Sequence, residues 1–198
     1  MTLQFFRNAA LAGSLVLALS GCISLGGGKA PPTLINLTAA AVAPAGQAIS
    51  GKAGEAIVIL EPETDRRLAV QRVAVTIDPA NVAYLKNAMF VERPARLFRA
   101  LLAETIRAGS TRIVFEDSEG MASGRVRLAG RLLDMGYDGE AREAVVRYDA
   151  ILEGPGGAIS SRRFESRIDG VSPDAKEIGP ALNRAANEVA RQVAEWVG

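Results

Sequence analysis

The chain has 198 residues, 23 basic and 22 acidic side chains, no histidine and a single cysteine. So even a balance lacks the electrostatic footprint of a nucleic-acid binder or a basic membrane patch. The missing histidine removes the commonest general base at neutral pH and the commonest zinc ligand.

Arg7 is the only charged residue before Lys29, and an apolar run from Ala9 to Leu19 follows it. A positive start ahead of a short apolar stretch is the make-up of a secretory signal. The run is too short to span a bilayer, which needs roughly 20 apolar residues. It ends in Leu19-Ser20-Gly21-Cys22, the form of a lipobox: small residues that fit a peptidase cleft, then a thiol that can accept a diacylglyceryl group. Residues 1–21 therefore read as a signal peptide and Cys22 as the lipidation site. A lone thiol in an exported chain has no partner for an internal disulfide and suits an anchor better. Each buried methylene adds about 0.8 kcal/mol and one myristoyl chain holds only reversibly; the three chains that likeness to bacterial lipoproteins implies would hold permanently. No aspartate follows Cys22, where a lipoprotein retained at the inner membrane usually carries one. The expected address is the periplasmic face of the outer membrane. Without its first 21 residues the chain has 177, with 22 basic and 22 acidic side chains, enough for one domain with a real core.

Residues 22–33 are rich in Gly and Pro after the cysteine and read as a flexible tether. Residues 34–198 form the domain. A short strand is expected at 34–37, and 39–54, rich in Ala and Gly with Pro44, reads as a mobile loop. Ala56-Ile-Val-Ile-Leu is a compact apolar run closed by Pro62, and Val73, Val75 and Ile77 alternate, so both read as strands. Residues 81–93 read as a connection. From Pro94, Leu97, Phe98, Leu101, Leu102, Thr105 and Ile106 form one stripe of a helix that a left-handed Gly109 would stop. A brief strand at 112–116 precedes a hairpin grammar: a strand from Val126 to Asp134, a turn at 136–139, a strand from Ala144 to Leu152, a turn at 155–157 and a strand over 160–168. Last come Ile178, Leu182, Ala185, Val189, Val193 and Trp196, spaced 4, 3, 4, 4 and 3 apart. That is one face of a helix, capped near Ser172-Pro173 and regular from Pro180 onward. Two helices on one face of a mixed or antiparallel sheet of about five or six strands make an α+β domain.

Catalytic signatures are missing from the sequence. No G-x-S-x-G elbow and no Walker loop occur, and an acylated Cys22 leaves no thiol nucleophile. No catalytic residue, metal ligand or cofactor is assigned. Glu116, Asp117 and Glu119 form an acidic cluster that reads either as a solvated loop or as ligands for a hard cation. Tyr84, Leu85, Met89 and Phe90 crowd the connection at 81–93. They read either as the cover over one end of the core or as an apolar contact surface for a partner protein or an acyl chain.

The lipobox at Cys22, the run Val73-Ala-Val-Thr-Ile-Asp-Pro, Tyr84-Leu85 ahead of the Pro94 helix, the stretch from Arg125 to Asp134 with its hairpins, and the closing helix ending Glu195-Trp196 carry a resemblance. The chain resembles the ABC-type transport auxiliary lipoproteins, which accompany MCE-domain lipid-transport systems of the Gram-negative envelope. Phe90 departs from the tryptophan expected there in many relatives. The resemblance implies a non-catalytic subunit that docks the end of a periplasmic lipid conduit. Its partners would be an MCE-domain protein with an inner-membrane ABC permease and ATPase, and the membrane itself through Cys22, with self-association left open and no nucleic acid. Two other classes stay in view, a lipoprotein that scaffolds or activates another envelope machine such as peptidoglycan synthesis, and an enzyme working with carboxylates alone.

Overall fold

The computed structural model describes residues 33–116 and 126–198. Among them run β1 Ile57–Ile59, β2 Arg72–Asp78, β3 Asn81–Met89, α1 Pro94–Gly109, β4 Val114–Glu116, β5 Val126–Asp138, β6 Glu143–Glu153, β7 Ile159–Ile168 and α2 Ala175–Val197. The seven strands form one mixed sheet, and the domain is α+β. The sheet is built around β5. One edge of that 13-residue strand pairs antiparallel with β6, and β6 with β7, completing the meander the turns called for. The other edge is filled in two pieces, both parallel to β5: β1 beside Val126–Leu128 and β2 beside Gly136–Asp138, with Glu63 bridging Arg131 between them. All three residues of β1 are buried, as expected of an apolar run lying between two parallel neighbours, β4 and β5.

The strand beyond the expected number is β3. Asp78 accepts hydrogen bonds from the backbone N–H groups of Ala80 and Asn81 and from the Asn81 side chain, closing a tight turn. The chain then returns antiparallel to β2, with Val82 opposite Thr76 and Tyr84 opposite Ala74. Residues 81–93 are thus mainly an edge strand rather than a connection. The alternation that marks a strand is hidden because the register shifts between Arg72 and Ala74 and Asn87 takes a left-handed φ of 58°. Residues 136–139 are likewise not the turn expected there. β5 continues through Asp138, and the turn falls later, with Arg142 left-handed at φ 59°. Gly136 serves close approach instead of turning, since a Cβ there would lie 2.4 Å from the Ala74 carbonyl oxygen.

Tyr148 and Phe164 face each other across β6 and β7. Phe98 of α1 meets the Tyr148 ring edge-on at 5.3 Å, and Trp196 of α2 meets Phe164 at 5.7 Å, so both helices cover the same face. The α2 stripe is fully buried at Ile178, Leu182, Ala185, Val189 and Val193. Each large side chain so buried contributes about 1.5–3 kcal/mol. This helix starts earlier than Pro180 suggests. Asp174 is the N-cap and accepts from the backbone N–H groups of Lys176 and Glu177, so the proline is carried inside. Helix α1 also ends otherwise than expected: Gly109 is its last residue, without positive φ, and the chain leaves through an extended Ser110.

The strand expected at 34–37 is reduced to a single parallel bridge between Ile35 and Phe90. Beyond it the chain is irregular but tied to both helices. Asn183 accepts from the Thr38 N–H, Asn187 from the Ala40 N–H, and Glu104 from the Ala43 N–H.

Candidate interaction surface

Cys22 lies outside the described residues, as do Asp117 and Glu119 of the acidic cluster. The described member, Glu116, stands 3.8 Å from Arg99 and 3.7 Å from Arg107, so its charge is met by arginines. Among the described residues no group of three or more His, Cys, Asp or Glu is placed to hold a metal ion.

The four apolar candidates of 81–93 do not form one surface. Phe90 is 1% exposed; its N–H donates to the Gln71 carbonyl at 2.7 Å and it bridges Ile35, which makes it a core residue and overturns its assignment as a contact. Leu85 and Tyr84 are both half-buried and packed against the same core. Tyr84 and Met89 share one side of the sheet. Strand register places Arg72, Ala74 and Thr76 on the helix-free face of the sheet, and Met89, Tyr84 and Val82 stand opposite them. The Arg72 guanidinium lies 4.6 Å from the centre of the Tyr84 ring, and the Tyr84 hydroxyl donates to the Arg67 carbonyl at 3.4 Å. Both residues are therefore on the side of the sheet that neither α1 nor α2 covers.

Across the rest of that face runs a ladder of ion pairs. Asp134 on β5 accepts from Arg67 at 2.6 Å and from Arg147 on β6 at 2.8 Å. Arg147 also pairs with Glu165 on β7. Glu165 in turn meets Arg167 at 2.6 Å, and Arg167 meets Glu143 at 2.8 Å. Asp149 and Arg163 form a bidentate pair with contacts of 2.6 and 2.7 Å. Partial burial works against the charge on Glu165, yet hydrogen bonds from Arg167 and Arg147 hold its carboxyl below the usual range. The Arg163 hydrogen bond does the same for Asp149. Hydrogen bonds to Glu165 and Glu143 raise the Arg167 guanidinium. A cavity of about 120 Å³ opens beside the ladder, lined by Arg67, Asp134, Asp138, Arg147 and Arg167 among others. With its guanidinium groups already matched by carboxylates, this wall is a polar cover for a sheet face, not a receptor for a free anion.

The ladder was outside the reach of motif reading. Its one sequence signal is charge at alternate positions of two strands joined by the turn at 155–157: Arg147 and Asp149, then Arg163, Glu165 and Arg167. Only pairing reveals that opposite signs meet.

Solved structures share this architecture. One is protein XCC0632 from Xanthomonas campestris, of the family DUF330. It superposes with a TM-score of 0.68 at 14% identity, covering 83% of this chain and 94% of that one. A second, an uncharacterized protein, gives a TM-score of 0.62 at 11% identity over 84% of this chain and 100% of its own. The likeness is one of fold. No protein-family model matches the chain, and neither does any curated protein.

Proposed function

We propose that the protein is a lipoprotein of the outer membrane, acylated at Cys22, and a non-catalytic accessory subunit of an ABC-powered, MCE-type lipid transport system. The observation that carries this reading is the order of parts: a lipobox ending in the chain's only cysteine, a Gly- and Pro-rich tether, and one α+β domain whose strand and helix plan resembles the auxiliary lipoproteins. The tether holds the domain near the bilayer, where it meets the end of a periplasmic conduit that delivers or collects phospholipid or another hydrophobic molecule. The domain's own work is docking, and the energy comes from the partner ATPase.

The test is a mild-crosslinking pull-down of the full-length protein from envelopes, with mass spectrometry of proteins and lipids. Recovery of an MCE-domain protein and its permease is the expected outcome. Recovery of cell-wall synthases without them would replace this reading with that of an envelope scaffold. A Cys22→Ala variant should leave the membrane fraction, and its retention there would refute the anchor.

A further inference from the structure

We infer that the corner of the helix-free face beside the tether's exit is a membrane-contact surface, seated on the headgroup region of the bilayer that holds the anchor; this rests on the reading of Cys22 as acylated. Three chain segments meet at this corner. The Ile35 N–H donates to the Met89 carbonyl, the Val91 N–H to the Ile35 carbonyl, and the Phe90 N–H to the Gln71 carbonyl. The Gln71 side-chain amide closes the group on the Val91 carbonyl. Ile35 and Phe90 point into the core, so their chain neighbours turn outward. Val70 is 38% exposed and Val91 36%, while Leu34, 50% exposed, lies at the rim of this corner, where its segment also borders Ala175, Gly179 and Pro180 of α2. Half-buried Met89 continues the patch along β3 toward Tyr84, and Val82, 48% exposed, stands at its far end.

Two observations select a bilayer as the occupant. The first is where the chain goes. Thr33 begins the described structure at this corner, and Cys22 lies 11 residues upstream, a span of at most roughly 40 Å even when fully extended. An acylated Cys22 therefore keeps this corner within that distance of the membrane at all times. The second is composition. The patch is aliphatic and bordered by an arginine stacked on a tyrosine. Aromatic rings and long basic side chains are the groups that settle at headgroup level, with apolar neighbours below and charge in the aqueous layer. Glu92, beside Val91, has its charge met by Arg96 at 3.7 Å.

The test uses the full-length acylated protein in vesicles of phosphatidylethanolamine and phosphatidylglycerol. Acylation removes the only native thiol, so Leu34→Cys, Val91→Cys and, at the opposite edge of the sheet, Ser161→Cys can each carry a single nitroxide label. The expected result is a several-fold higher ratio of oxygen to water-soluble nickel accessibility at 34 and 91 than at 161, with unchanged melting of the labelled proteins. Equal ratios at all three sites, in protein that floats with the vesicles, would overturn the surface while leaving the anchor standing. A rise at 34 and 91 seen only at high protein density, or only after adding an MCE-domain protein, would assign the patch to a second copy or to that partner and overturn the membrane contact. Failure to float, with unmodified Cys22 by mass spectrometry, would overturn the anchoring itself and the surface with it.

Discussion

Phe90 and Val91 are adjacent in sequence, both apolar, and opposite in consequence. Phe90 is enclosed between the Ile35 bridge and β2, whereas Val91 shows a third of its surface to solvent. Removing the buried ring leaves a cavity, so Phe90→Ala should cost about 3–5 kcal/mol in thermal or denaturant unfolding. Val91→Asp should shift stability by no more than about 0.5 kcal/mol. Similar losses from both substitutions would contradict this placement of the two side chains. The chain could not announce the difference, because in residues 81–93 a bulged strand carries apolar residues on both faces and only the register tells them apart.

Among the elements, α2 and the ion-pair ladder stabilise opposite faces of the sheet by different physics. The helix buries a continuous apolar stripe, and Val189 sits at its centre with no exposed surface. A carboxylate there has no partner, so Val189→Asp should destabilise by several kcal/mol, on the order of 3 or more; an unchanged melting temperature would show that α2 is not packed as described. The ladder depends on charge and hence on pH. Glu165 has its carboxyl held below the usual range by Arg167 and Arg147 against the opposing effect of burial. A lowered carboxyl stabilises the fold above its unfolded-state value, about 4.3, and loses that contribution as pH falls below it toward the folded-state value. Glu165→Gln should therefore melt below the wild type at pH 7, and the gap should close as the pH falls through 4. A gap that is constant with pH would mean that the carboxylate charge contributes nothing and that the ladder acts through packing alone.

At the scale of the molecule, the N-terminal segment joins function to fold. Ile35 and Leu37 are buried, and Thr38, Ala40 and Ala43 are hydrogen-bonded to α1 and α2, so a pull on the tether is borne by both helices and by the edge of β3. The start of the described chain is thereby fixed beside the exposed aliphatic corner. Under the proposed anchoring at Cys22, that fixed start would present one surface of the domain preferentially to the membrane.

Some of this was written in local pattern. The stripe from Ile178 to Trp196, the Pro94 helix, the alternation in 144–152 and the lipobox at Cys22 are short-range signals, and a side chain's place in a 3.6- or 2-residue period is decided by its near neighbours. The sequence therefore determined the α+β class, the meander and the proposed anchor. Contacts between distant segments were decided by the tertiary structure alone. Gly136 belongs to a strand because the Ala74 backbone passes within contact distance, Phe90 is core because Ile35 closes over it, and Arg147 is paired because β5 and β7 flank it. Each depends on residues from 13 to more than 50 positions away, a separation at which apolar and charge periodicity carry no information about which groups meet.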